Sequence, residues 1–358
     1  MTTLRRILDR RYLNGFRLIL GLAILGWVFS RIPMEEFRAV LASSVEQWHW
    51  WIVGVAFTLL GLLFAVIRWH GLLTAQGVSL PFSRVFRVFF IGQFFNAFLP
   101  GSCGGDVARA YYVFKETTLR RTEAVSTVLV DRGIGLLTMV LFCCVMIAWR
   151  LPALVAYPWA KAAGLTMLAL LLGAVAGAVV LFRRHLFEHG HRLARLESWS
   201  TVGPLIRRMY NAFYVYRDSP QALGRAMLLS LGNLTGLTLA CVAFGQSLSL
   251  DVSVAEYFTF FPIITVLSSI PLTPGALGIR EGLFVELFVI AGARAAQAVP
   301  LSLMVYGGGL FWSVFGGLIF IGYTARYGVS WREEWKKLAA DNERSVDAIE
   351  PSGQSQSG

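Results

Sequence analysis

Charge is what this 358-residue chain has least of: 15% of its residues are Asp, Glu, Lys or Arg, against 56% that are hydrophobic. Soluble domains carry about 25% charged residues, so the shortfall excludes an ordinary soluble globule and a disordered chain. Lysine is scarcer still. Of 32 basic residues only Lys115, Lys161, Lys336 and Lys337 are lysines, which leaves 28 arginines. Arginine's planar fork suits phosphate and is more weakly hydrated than an ammonium group. A GC-rich genome gives the same bias, and composition leaves both explanations open. The four cysteines (Cys103, Cys143, Cys144 and Cys241) form no C-x-x-C pair, so neither a disulfide scaffold nor a cysteine metal site is expected. His185, His189 and His191 have no carboxylate spacing that would make them ligands. No G-x-x-x-x-G-K-[ST], G-x-S-x-G or H-E-x-x-H occurs, which argues against a nucleotide-driven pump, a serine hydrolase and a zinc protease. No cofactor, metal or catalytic residue is expected.

What the chain has is long apolar runs. A bilayer core needs about 20 apolar residues of helix, and stretches 15–31, 49–73, 123–149, 162–182, 224–248 and 298–324 qualify. Trp27, the Trp48/Trp50/Trp51 cluster, Trp149 and Trp159 sit near span ends, where aromatic belts belong. The net charge of +11 falls between the runs, as in cytoplasmic loops, and does not point to nucleic acid. The fold class is therefore an all-α polytopic membrane protein. It has about six full spans and two apolar stretches, 85–112 and 254–296, that are broken by glycine and proline.

The positive-inside rule orders these pieces. Arg5, Arg6, Arg10 and Arg11 place the N-terminus inside, and Glu35, Glu36 and Glu46 suit an outer 32–48 loop. Basic residues then flank 85–112 on both sides (Arg84, Arg87, Lys115, Arg120, Arg121), so this stretch opens and closes inside as a re-entrant hairpin. The arginine-rich 183–223 segment is cytoplasmic and lies along the headgroups. Span 224–248 exits and 298–324 returns to the basic Arg326, Lys336 and Lys337, so 254–296 opens and closes outside. Residues 49–149 and 224–324 are thus expected to form an inverted-topology repeat within one transmembrane domain, 1–337. The hairpin tips, Pro100-Gly101-x-x-Gly104 and Pro274-Gly275-x-x-Gly278, correspond. Residues 338–358 read as a disordered polar tail.

Ionisable residues at bilayer depth are costly, about 2.5–3.5 kcal/mol each on insertion scales, and mark function or structural locks. Asp106 and Arg109 share a helix face after the first tip; Arg280 and Glu281 follow the second. Asp106–Arg280 and Arg109–Glu281 are expected as cross-repeat pairs. Asp131 and Arg132 lie inside span 123–149, and, being adjacent on a helix, each needs its own partner. Gly101, Gly104 and Gly105 would free backbone N–H groups at a half-helix start for an anion, or serve helix packing. Gln93 and Asn96 could bond the same headgroup. Gly173/Gly177 and Gly232/Gly236 read as helix-packing pairs and Asn233 as interhelical glue. Arg68-Trp69-His70 reads as an interfacial anchor.

Three ordered motifs, FNAFLPGSCGGDVARAYYVF, VSTVLVDRGIGL and PLTPGALGIRE, resemble the lysylphosphatidylglycerol synthase transmembrane-region family of flippase-like membrane proteins, over roughly residues 15–325. The resemblance implies a lipid-translocation domain. In bifunctional members that domain is joined to a cytoplasmic aminoacyl-transferase domain, which is missing here and argues against a synthase. Other relatives are linked to polyprenyl-phosphate sugars or other envelope lipids. The family pattern falls on Asn96, Leu99, Pro100, Gly101, Gly104, Gly105, Asp106 and Arg109, on Asp131–Arg132, and on Pro274, Gly275, Gly278 and Glu281. Asp131 stands where glutamate is expected and Ala276 where a further glycine is common. The expected function is inner-membrane transport of an anionic phospholipid or other phosphate-bearing envelope lipid. Asn96, Gly101, Gly104, Gly105, Arg109, Arg132 and Arg280 would bind the headgroup; Asp106, Asp131 and Glu281 would position the arginines or carry a proton. A membrane-embedded lipid transferase, or a scaffold for an envelope-lipid enzyme partner, is the alternative.

Overall fold

A computed structural model describes residues 32–98, 104–150, 219–269 and 276–326, together with residues 19, 20, 22–30, 165, 166, 168, 169, 171–173, 216, 273 and 333. The tip residues 99–103, Pro274 and Gly275 lie outside the described residues. So do most of span 162–182, nearly all of the 183–223 segment, and the 338–358 tail. The described residues are helical wherever they are regular, in nine principal helices. These are α1 (Met34–Glu46), α2 (Trp48–Ala75), α3 (Phe82–Phe98), α4 (Gly104–Glu116), α5 (Arg121–Trp149), α6 (Pro220–Ser247), α7 (Val254–Ser268), α8 (Ile279–Ile290) and α9 (Ala295–Arg326).

Helices α2, α5, α6 and α9, of 28–32 residues, are long and apolar enough to cross a membrane. They match the predicted spans 49–73, 123–149, 224–248 and 298–324 within a few residues. The chain is a polytopic membrane protein. The two broken stretches are pairs of shorter helices, α3/α4 and α7/α8, as their Gly/Pro interruptions predict. Residues 19, 20 and 22–30, within predicted span 15–31, are helical. The 32–48 stretch, expected as a loop, holds α1 instead, whose first turn carries Glu35 and Glu36 and whose buried side is Val40 and Ser44. Acidic residues at a helix N-terminus complement its dipole.

Small residues set the closest helix contacts, as they do where no hydrophobic force separates helix from lipid. Helices α2 and α6 pack antiparallel. Arg68 meets Ser230, Gly61 meets Asn233 and Gly236, and Gly54 meets Phe244. A Cβ on Gly236 would lie 2.8 Å from the Gly61 nitrogen, and Asn233 Nδ2 donates to the Gly61 carbonyl at 2.7 Å. The expected roles of Gly236 in packing and Asn233 as glue hold. Helices α3 and α4 run antiparallel and cross at Gly92 and Gly105; a Cβ on Gly105 would lie 2.5 Å from the Gly92 carbonyl oxygen. Gly316 and Gly317 let α9 seat against Phe90 and Phe94 of α3. A ring cluster of Phe95, Phe320, Tyr112 and Tyr323 continues that contact at centroid separations of 5.1–6.4 Å.

The helix ends sort by charge. The 76–81 and 117–120 connections lie together, since Arg120 Nη1 donates to the Gln76 carbonyl. Tyr216 OH reaches the Leu72 carbonyl and Tyr323 OH the Glu116 carboxylate, which brings the start of α6 and the end of α9 to the same place. This end carries Arg84, Arg87, Lys115, Arg120, Arg121, Arg225 and Arg326 against Glu116 and Glu123. The opposite end is fixed by Arg150–Glu256, Gln47–Ser249 and Gln297 Nε2 to the Leu248 carbonyl. It carries Glu35, Glu36, Glu46, Asp251 and Glu256 against Arg38, Arg150 and Arg294. Hairpin α3/α4 opens toward the basic end and hairpin α7/α8 toward the acidic one.

Candidate functional site

Five ionised side chains from three helices, α2, α4 and α5, meet where these pack with α6. At the centre is Asp131 of α5, 1% exposed. Its two oxygens are divided: Arg68 Nε donates to one at 2.7 Å and Arg109 Nη2 to the other at 3.0 Å. Arg68 comes from α2, seven residues or about 10 Å from that helix's end, and its Nη1 also donates to Ser230 Oγ of α6 at 2.8 Å. Arg109 comes from α4. Its guanidinium lies 4.2 Å from the Trp69 ring centre and 5.0 Å from that of Phe89, a cation–π arrangement that holds the group flat. Trp69 is fixed in turn by its indole N–H on Thr127 Oγ1. Both arginines are 8% exposed.

Asp106 and Arg132 form the outer half of the cluster. Arg132 Nη1 bonds the Asp106 carboxylate, and Arg109 Nη1 is 3.9 Å from the other Asp106 oxygen. Their side chains keep 27% and 35% of their accessible surface. Asp131 and Arg132 thus find separate partners, Arg68 with Arg109 for the first and Asp106 for the second, as adjacent helix positions require. The cross-repeat pairs expected from sequence, Asp106–Arg280 and Arg109–Glu281, are replaced by these. The first hairpin's charges are satisfied by the following helix, α5.

These residues line a cavity of about 280 Å³ together with Gln93, Asn96, Gly105, Met139 and Asn233. Of the predicted headgroup residues, Asn96, Gly105, Arg109 and Arg132 are on its wall, and so are Asp106 and Asp131. Gly104 is buried at the start of α4 without lining the cavity, and Gly101 lies outside the described residues. Gly105 has both expected roles available to it, since it lines the cavity and admits the α3 backbone.

Arg68 is the site residue that sequence reasoning assigned elsewhere. Its proximity to a span end suggested an interfacial anchor, but α6 and its flanking turn cover that end of α2. Arg68 also lines a second cavity, about 710 Å³, between the end of α2 and the start of α6, with His70, Thr74, Ser219 and Arg225. Among the described residues it is the one that the two cavities share.

Arg280 and Glu281 do not line either cavity. Glu281, 1% exposed, accepts from the Gly278 backbone N–H at 2.7 Å and from Arg280 Nη2 at 2.5 Å. Ser302 Oγ of α9 bridges the two side chains, and Arg280 stacks 4.4 Å from the Tyr306 ring centre. Gly278 has φ +82°, where glycine is the natural residue. This cluster closes the start of α8 against α9. Among the described residues no group of three His, Cys, Asp or Glu side chains could hold a metal ion.

Sequence comparison is consistent with this architecture. The chain is 23% identical over 320 residues to the UPF0104 membrane protein of Methanothermobacter thermautotrophicus, covering 82% of this chain and 90% of that one. It is 21% identical over 280 residues to the UPF0104 membrane protein PH1989 of Pyrococcus horikoshii, covering 71% and 80%. The sequence profile described as lysylphosphatidylglycerol synthase TM region matches residues 15–317. With most of its length so matched, the chain belongs to the lysylphosphatidylglycerol synthase TM-region family.

Proposed function

We infer that the protein moves a phosphate-bearing lipid headgroup between the leaflets of a cell membrane. The observation that carries this reading is the buried ionic cluster on a cavity wall, inside helices that otherwise meet lipid. Ionised groups at that depth persist only when paired or when they serve a polar cargo. Three features support the reading. The hairpins open toward opposite ends of the bundle and α2 runs antiparallel to α6, as an inverted repeat with two re-entrant hairpins requires. The basic end, by the positive-inside rule, faces the cytoplasm of a bacterial inner membrane. Arg68 stands between a deep cavity and one at the basic end, so a headgroup would have arginine contact along the way while its acyl chains stay in lipid.

Both carboxylates on the cavity wall are engaged by arginines, which supports transport over a transferase reading that needs a free base. In this reading Asn96, Gly105, Arg109 and Arg132 contact the headgroup, while Asp106 and Asp131 position the arginines. Arg280 and Glu281 lock the second hairpin. The test is a liposome assay with a fluorescent anionic phospholipid and a membrane-impermeant quencher. Wild-type protein is expected to expose inner-leaflet label many times faster than Arg109→Ala. Equal rates would overturn the reading.

A further inference from the structure

The two cavities follow one another along α6. Ser219, Gln221, Arg225 and Leu229 line the basic-end cavity, and the next residue, Ser230, begins the deep one, followed by Asn233 and Leu234. The change falls where Arg68 reaches across from α2 to Ser230. On α2 the basic-end cavity runs from Ala75 back to Arg68, and among the described residues of that helix Arg68 alone reaches the deep cavity's wall. Its guanidinium is the partition between the two spaces.

The partition is fastened on three sides. Arg68 Nε donates to Asp131 of α5 at 2.7 Å and Nη1 to Ser230 Oγ of α6 at 2.8 Å. The Ser230 hydroxyl gives its own hydrogen to the Ala226 carbonyl at 2.9 Å, which leaves its lone pairs for the arginine. Gly135 of α5 closes the third side, where a Cβ would lie 3.2 Å from Arg68 Nη1.

The two arginines on Asp131 differ in how freely they can leave it. Arg109 is also clamped by the Trp69 and Phe89 rings. Arg68 depends on its two hydrogen bonds among the described residues. When it leaves, Asp131 keeps Arg109 and is not stranded as a lone buried charge. About 710 Å³ of space borders Arg68 on the basic side, room into which its guanidinium can turn.

We propose that the Arg68 side chain is a gate between the two cavities. Bonded to Asp131 and Ser230 it closes the deep cavity from the basic end; released from both it joins the cavities into one polar passage. This deepens the transport reading by naming the moving part at its site, and rests on that reading only for what passes.

The test is thiol labelling of the full-length protein in liposomes. Met139→Cys puts a reporter on the deep cavity's wall and Thr74→Cys one on the basic-end cavity. Two membrane-impermeant methanethiosulfonate reagents, one cationic and one anionic, are added on the side from which Thr74→Cys reacts. The rate of the chain with its native cysteines alone is subtracted. Ser230→Ala removes one fastening and is expected to speed labelling of Met139→Cys by both reagents about fivefold, the shift that one net hydrogen bond makes in an equilibrium. Arg68→Ala removes both and should speed it at least about tenfold. Ser230→Ala leaves all five charges in place, so it tests the gate even where Arg68→Ala does not fold. An unchanged rate in Ser230→Ala overturns the inference. So does acceleration of the cationic reagent alone in Arg68→Ala, which is the loss of a charge and not the opening of a passage. Labelling needs no lipid. A gate that opens in these variants, with equal liposome rates for wild type and Arg109→Ala, defeats the transport reading and leaves this one standing; transport with labelling unchanged does the reverse.

Discussion

Replacing Asp131 with asparagine removes one charge and almost no volume, and the structure gives the size of the consequence. Asp131 is 1% exposed and holds Arg68 and Arg109 at 2.7 and 3.0 Å. Asparagine can keep one acceptor oxygen but must turn an N–H₂ toward one of the two guanidinium groups. Removing one member of a buried ion pair typically costs about 3–5 kcal/mol, because the partner's charge is left buried and unanswered. Here two partners are affected, and the cation–π contacts of Arg109 with Trp69 and Phe89 return only part, about 1–2 kcal/mol. A net loss of about 3 kcal/mol corresponds to a fall in melting temperature on the order of 4 °C for a chain of this size.

Thermal unfolding in detergent, followed by size-exclusion chromatography of the heated protein, measures this directly. Asp106→Asn is the internal control. Its pair with Arg132 keeps about a third of its accessible surface, and partly exposed pairs contribute only about 0–1 kcal/mol. A second check removes a positive charge along with the negative one. Arg68→Met with Asp131→Asn restores the wild-type charge sum, and should recover part of the loss, since contacting residues are not additive. An Asp131→Asn protein that melts with wild type, or no earlier than Asp106→Asn, would refute the account of Asp131 as the buried keystone of the cluster.

Three further outcomes are expected. Gly105→Ala places a methyl group 2.5 Å from the Gly92 carbonyl oxygen and 2.6 Å from Asn96 Cβ. Such overpacking costs about 1–3 kcal/mol and pushes α3 from α4, so both the melting temperature and the liposome transport rate should fall. Ala276 has φ +56°, a conformation that costs an L-residue about 1–2 kcal/mol. After subtraction of the roughly 0.5–1 kcal/mol that glycine's added chain freedom costs, Ala276→Gly should raise the unfolding midpoint by about 1 °C. Glu281→Gln strips the charge that holds Arg280 and weakens the cap on the Gly278 N–H. Stability should drop by about 3 kcal/mol, while the rate of the folded protein in the liposome assay stays that of wild type.

The long elements were legible because bilayer thickness leaves so little freedom. Apolar runs of the right length can only be spans, and α2, α5, α6 and α9 end within a few residues of where hydropathy placed them. The hairpins were legible for the complementary reason, since apolar stretches broken by Pro-Gly cannot run straight through. Pairing was not legible. Nothing in the spacing says that α5 lies beside α4 at the height that lets Arg132 reach Asp106, or that Asp131 faces both α2 and α4. Arg68 shows the limit most plainly: a charge near a span end reads as an anchor unless one knows that α6 packs antiparallel against it, with Ser230 opposite. That contact depends on Gly61 and Gly236, whose small size is visible in the sequence but whose partnership is not. Helix α1 was missed because a charged stretch between two spans resembles a loop, and only Val40 and Ser44 face inward.

The two ionic clusters separate when each is asked whether its charges close on themselves. Around Glu281 they do: one carboxylate, one guanidinium, a hydroxyl between them and a backbone N–H, with neither side chain on the wall of the two cavities described. Burial there is compensated within the cluster, so a structural role is sufficient to explain why the charges are tolerated at depth. Around Asp131 the pairs stand on the wall of a cavity, with Asp106, Arg109 and Arg132 beside open space. A structural lock has no use for such a wall. The cavity therefore argues for a ligand at the first cluster and a fixed joint at the second, although both follow a glycine-rich break at the start of a short helix.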